Sequence, residues 1–114
     1  MRSEDRIRLK HLLSEAQEAC KYIKGISFEE FVQDGKTVRA VIRAIEVIGE
    51  AASKISLELR TMHSDVPWQK IIGMRNRLIH VYFDIDYDII WQTLKENLPS
   101  LIEQIRAILK LEEE

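Results

Sequence analysis

Cysteine occurs once, at Cys20. No internal disulfide can staple such a chain, and a reducing compartment suits it. Proline occurs twice and glycine four times, too sparse for the turn-dense pattern of an all-β fold. No apolar run approaches the roughly 20 residues that span a bilayer. The opening MRSEDRIRLK lacks the apolar stretch of a secretory signal. The expectation is therefore a cytoplasmic chain with no membrane association. Neither sign of charge dominates: 17 basic residues stand against 19 acidic ones, a net −2. That balance disfavours a broad electropositive nucleic-acid surface and leaves room only for a local basic patch. What remains is ordinary globular material: 114 residues, 46% hydrophobic and 32% charged. One domain over 1–114, burying about two-thirds of its surface, is the natural reading.

The apolar residues recur at helical spacing. Ile7, Leu9, Leu12, Leu13, Ala16, Ala19, Cys20 and Ile23 predict an amphipathic first helix stopped by Gly25. Ser27-Phe28-Glu29-Glu30 has capping-box spacing and predicts a short helical turn. A second stripe runs through Val38, Val41, Ile42, Ile45, Ile48, Ala52, Ile55 and Leu59, with Thr37 as N-cap. Gly49 lies inside it, where glycine costs about 1 kcal/mol against alanine; it should mark close approach of another helix. Residues 61–66 read as polar loop. Pro67 suits the first turn of a third helix over 68–80. Asp86 should cap a fourth, carrying Ile89, Ile90, Leu94 and Leu98, which Pro99 bends or restarts. No strand pattern competes. The fold class expected is all-α, an antiparallel four-helix bundle with a short extra helical turn.

One segment crowds chemistry onto an otherwise apolar helix: Arg75-Asn76-Arg77-Leu78-Ile79-His80-Val81-Tyr82. Imidazole transfers protons near neutral pH. Guanidinium offers a fixed, always-charged fork for phosphate oxygens. Such groups suit metal-free RNA cleavage: Arg75 holds the scissile phosphate, and His80 takes the 2′-hydroxyl proton or protonates the leaving oxygen. Helical geometry limits the pairing. Asn76 and His80 fall about 40° apart, but Arg75 and His80 about 140° apart. Either the helix ends before His80, or Arg75 reaches round, or two copies face each other across a two-fold axis. The dimer is the favoured arrangement.

Arg75, His80 and Tyr82 form an R-x4-H-x-Y motif that resembles the signature of HepT-like toxins of the HEPN superfamily. The likeness continues through 36–43, Ile48-Gly49-Glu50-Ala51-Ala52, the Phe28-Glu29-Glu30-Phe31 turn, 66–80 and 86–98. Essentially the whole chain is covered. The resemblance implies a HEPN-like homodimer with metal-independent ribonuclease activity, the toxin of a toxin–antitoxin pair, with tRNA among the candidate RNAs. It implies catalytic roles for Arg75 and His80 and a supporting role for Asn76. The implied antitoxin is an MntA-like nucleotidyltransferase that uses ATP and Mg2+ to attach AMP units to Tyr82. Added phosphates would repel an RNA backbone beside Arg75 and His80. Val81 stands where many members carry an acidic residue. The alternative is a non-catalytic HEPN module that binds nucleotides or a nucleotidyltransferase partner.

Plainer roles stand beside these. A histidine at a helix end is commonly a C-cap, and a tyrosine there a core-edge residue. Arg77 reads as a solvated or partner-facing charge. Trp68 and Trp91 sit in apolar patterns and read as core. Cys20 reads as an inert core thiol. Gly73 serves close packing or lets RNA approach the backbone. His11 and His63 show no ligand spacing, and Asp84, Asp86 and Asp88 lack the glycine and closing glutamate of a calcium loop, so no metal site is expected.

Overall fold

The computed structural model describes residues 1–81 and 84–113, with the backbone alone at 79–81, 112 and 113. Helix α1 (Ser3–Tyr22) buries Asp5, Leu9, Leu12, Ala16 and Ala19. That stripe begins on a carboxylate rather than on Ile7, which is 54% exposed. Two residues from Leu9 means about 200° around the axis, so Ile7 falls on the far face. Asp5 is tolerated inside because it is satisfied: its Oδ1 accepts from the Ser56 backbone N–H at 2.9 Å and its Oδ2 from the Ser56 hydroxyl at 2.6 Å. Gly25, at φ +80°, takes the left-handed turn that follows α1.

Ser27 and Glu30 cap each other in a complete capping box at the start of α2 (Phe28–Gln33). Helix α3 (Gly35–Ser53) follows at once. Its N-cap is Asp34 rather than Thr37. The Asp34 carboxylate accepts from both the backbone N–H and the hydroxyl of Thr37, at 3.1 and 2.6 Å, which places Thr37 inside the first turn. These bonds to the charged form hold the Asp34 carboxyl below its usual pKa. The helix expected to reach Leu59 stops at Ser53, although Ile55 and Leu59 are buried as the stripe predicts. Ser56 then caps a separate helix, α4 (Leu57–Met62), by accepting from the Leu59 N–H at 3.2 Å. Part of the expected polar loop is therefore helical.

The third expected helix, 68–80, does not run through. It is split at Gly73 into α5 (Trp68–Ile72) and α6 (Met74–Leu78), and the chain then turns extended. Strand β1 (Ile79–Val81) pairs antiparallel with β2 (Asp84–Ile85). Ile79 faces Ile85 and Val81 faces Asp84, so the register shifts at His80. The Asp86 N–H donates to the Leu78 carbonyl at 2.9 Å and extends the ribbon to the end of α6. Asp86 also caps α7 (Tyr87–Gln92), accepting from the Ile89 N–H at 3.0 Å.

A π turn over Thr93–Asn97 joins α7 to α8 (Leu98–Glu113). The regular α-helix starts again at Leu98, beside Pro99, which is the restart expected there. A proline lacks an N–H and crowds the carbonyl four residues back; the wider i→i−5 turn, in which Leu98 N–H reaches Thr93 O, relieves that clash. The Cys20 thiol, half-buried at the end of α1, lies 3.8 Å from the Leu94 carbonyl of this turn. Burial pushes its pKa up, against the opposing charge of Lys95.

The fold class is all-α, with the short ribbon as the one departure among the described residues. Helix α3 is central: α1 packs on one side, α5 and α6 on another, and α8 against α1. The bond from Asp5 to Ser56 places the start of α1 beside the end of α3, so the two run antiparallel. Leu9, Leu12, Val41, Ile45, Ile48, Leu78, Ile90, Leu94, Leu98 and Ile105 form the centre of the core. Trp68 is buried and donates to the His63 carbonyl at 3.0 Å. Trp91 is half-buried against Phe28 and Phe31. No helix among the described residues is long and apolar enough to cross a membrane.

Candidate active site

The site is built on the face of α3 that the core leaves open. A helix presents residues three, four and seven apart on one side. On α3 that side carries Arg43, Glu46 and Glu50, with Lys54 at its C-cap, and it forms the floor of a cleft of about 670 Å³. One wall comes from the junction of α5 and α6, through Ile72, Arg75 and Asn76; the other comes from α1, through Arg8 and His11.

Gly49 fixes the first wall. A Cβ there would sit 3.2 Å from the Ile72 carbonyl oxygen and 3.3 Å from that of Ile71. A methyl there would push the α5 backbone back by a few tenths of an ångström, so glycine permits this close approach, as expected of Gly49. One turn earlier on α3, Glu46 meets the next residue to arrive: its Oε1 lies 3.5 Å from Arg75 Nε. The same carboxylate lies 3.9 Å from Arg43 Nη1. Both side chains of the Arg75 pair are partly solvated, 50% and 35% exposed, so the contact orients Arg75 more than it stabilises the fold.

The helix break rearranges the expected constellation. Arg75 and Asn76 are exposed neighbours on one cleft wall. Because α6 ends at Leu78, the shared helical face expected for Asn76 and His80 does not exist. Among the three routes to an Arg75–His80 pairing, the helix does end first. His80 occupies β1 at its register shift. The side chain of His80 and all of Tyr82 lie outside the described residues. Arg77 points away from this cleft and donates from Nη2 to the Lys70 carbonyl at 3.2 Å.

Sequence reading passed over the α1 wall. His11 is weighed there only as a metal ligand, and Arg8 not at all. The polar spacing of Arg43, Glu46, Glu50 and Lys54, opposite the apolar stripe of the same helix, is the signal that could have marked the cleft floor. Nothing local in α1 says which neighbour its exposed face will meet.

The arrangement is that of a small helical protein with a charged cleft at the edge of a broken helix. A family model described as "Ribonuclease HepT-like" matches residues 12–108. The chain belongs to this HepT-like family of the HEPN superfamily. It is 46% identical over 104 residues to a protein named as a candidate RNase from Caldanaerobacter subterraneus subsp. tengcongensis, covering 91% of this chain and 93% of that one. It is 44% identical over 81 residues to a protein named as a probable ribonuclease HepT from Thermococcus cleftensis, covering 71% and 74%. A further candidate RNase, from Methanocaldococcus jannaschii, is 37% identical over 97 residues, covering 85% and 89%. No solved structure matches the chain.

Proposed function

We propose that the protein is a metal-independent endoribonuclease, the toxin of a toxin–antitoxin pair. The observation that carries this reading is the placement of Arg75 and Asn76 in a cleft, just before the chain turns extended at Ile79 towards His80, in a member of the HepT-like family. Cleavage needs a charge for the phosphate and a group that moves a proton. Arg75 supplies the first and neutralises the negative charge that grows on the non-bridging oxygens. His80 supplies the second: it takes the 2′-hydroxyl proton as that oxygen attacks phosphorus, or gives a proton to the departing 5′-oxygen. The products are a 2′,3′-cyclic phosphate and a free 5′-hydroxyl. Asn76 supports the site by hydrogen bonding. A homodimer places two such sets along one groove, which supplies a second imidazole for the second proton transfer.

Control falls on Tyr82. An MntA-like nucleotidyltransferase using ATP and Mg2+ joins the tyrosine oxygen to the α-phosphorus of ATP and releases pyrophosphate. Each attached AMP adds a negatively charged phosphate, which repels RNA. The substrate is RNA of the cytoplasm, tRNA among the candidates.

The test is expression of the chain alone beside Arg75→Ala and His80→Ala, with RNA cleavage followed in EDTA. The wild type should arrest growth and cut RNA, and each variant should lose about a hundredfold or more of the cleavage rate. Equal, harmless behaviour of all three overturns the enzyme and leaves the non-catalytic HEPN module. Intact mass after co-expression with the antitoxin should rise by whole AMP units, and Tyr82→Phe should stay toxic at unchanged mass.

A further inference from the structure

The cleft concentrates charge that the chain as a whole does not have. Its lining carries Arg8, Arg43, Lys54 and Arg75 against only Glu46 and Glu50, while the full sequence sums to −2. The carboxylates are not evenly spread among these cations. Glu46 engages Arg75 and Arg43, and Glu50 engages Lys54 at 3.4 Å. The remaining basic group is Arg8, half-buried on α1, which makes no ion pair among the described residues. His11, one turn further along α1, is exposed on the same wall. Three residues apart on a helix, the two side chains present one face.

We infer that Arg8 and His11 form a phosphate-binding wall for RNA, holding the backbone next to the phosphodiester that Arg75 engages across the cleft. The inference rests on the ribonuclease reading and extends it to an element far from the motif in sequence. A single strand crossing the groove over α3 meets Arg75 and Asn76 on one side and a free guanidinium with an imidazole on the other. Arg8 neutralises a flanking phosphate, and His11 donates a hydrogen bond to a phosphate or a 2′-hydroxyl oxygen. Neither takes part in bond breaking; both are positioning residues, which fix the register of the strand.

The experiment measures binding of a fluorescein-labelled, mixed-sequence single-stranded RNA to the uncleaving His80→Ala chain, by anisotropy over a range of salt. Arg8→Ala should weaken binding about fivefold or more in low salt and lower the slope of log affinity against log salt by about 0.7, one phosphate contact on a single strand. Arg8→Lys should restore the slope, because a lysine also neutralises a phosphate. His11→Ala should weaken binding about threefold, one hydrogen bond's worth. Arg106→Ala, on α8 outside the cleft, should leave binding and slope unchanged. In the cleaving background, Arg8→Ala and His11→Ala should raise KM with little change in kcat. If Arg75→Ala weakens binding but the α1 variants do not, the wall is no part of the RNA path while the ribonuclease reading stands. An Arg106→Ala loss equal to that of Arg8→Ala means diffuse attraction and overturns the inference. Loss of dimer mass by light scattering in the α1 variants means the wall seats a second copy instead, and also overturns it. An inert His80→Ala parent that binds no RNA sinks the ribonuclease reading itself.

Discussion

Glu46 Oε1 and Arg75 Nε lie 3.5 Å apart across the junction of α3 and α6. The helix at the centre of the fold thus holds the guanidinium expected to meet phosphate. The pair is solvated, so its worth to stability is at most about 1 kcal/mol, but the carboxylate both orients Arg75 and competes with phosphate for it. Glu46→Gln should therefore tighten RNA binding about twofold to threefold in low salt, since one repelling charge leaves the groove, and should lower the cleavage rate. Anisotropy and a single-turnover cleavage assay check the two effects separately. Unchanged values in both would mean that Glu46 does not govern Arg75.

Gly49 and Gly73 should respond oppositely to alanine. At Gly49 the new methyl would lie 3.2 and 3.3 Å from two carbonyl oxygens of α5, and backbone cannot swing aside as a side chain can. Overpacking of about 1–3 kcal/mol outweighs the roughly 1 kcal/mol of helix propensity gained. At Gly73 the nearest atom is the Gln69 carbonyl oxygen at 3.4 Å, an ordinary contact. Gly49→Ala should lower the thermal midpoint by several degrees, about 4 °C per kcal/mol in a chain this size, and displace Arg75. Gly73→Ala should hold or raise the midpoint.

Asp5 is nearly fully buried, 3% exposed, and its carboxylate accepts two hydrogen bonds from Ser56. Asp5→Ala leaves a backbone donor and a hydroxyl unmet between α1 and the start of α4. The expected cost is about 2–3 kcal/mol, seen as a lower urea midpoint. Asp5→Asn, which keeps an acceptor, should cost less.

Asp34 gives a pH signature. Its folded pKa is lowered by the bonds it accepts from Thr37. A lowered carboxyl pKa stabilises the fold above the unfolded value and loses that contribution as the pH falls through the folded one. Asp34→Ala should therefore be less stable than wild type at neutral pH. In urea titrations the gap should narrow as the medium is acidified below the ordinary carboxylate range.

Much of the secondary structure was legible residue by residue. Ser27 with Glu30 and Asp86 with Ile89 cap the helices that their spacing predicts, because a cap is settled within four residues. Thr37 misled for the same reason: it and Asp34 are both good caps, and Asp34 has the carboxylate that reaches both donors of Thr37. The ends of α3 and α5 were less legible, since periodicity alone does not reveal that Ser56 is tied to Asp5 or that α5 is docked on Gly49.

The sequence alone determined the helical class and most of the buried stripes. Those features depend on neighbours a few positions away and on the spacing of apolar side chains. Tertiary packing decided that the helix breaks at Gly73, that His80 stands on a strand, and that Arg8 and His11 share a cleft with Arg75. The reason is that α1, α3 and the α5–α6 junction meet only when their apolar faces are buried together. No local rule for exposed polar residues specifies which of them that burial will bring face to face.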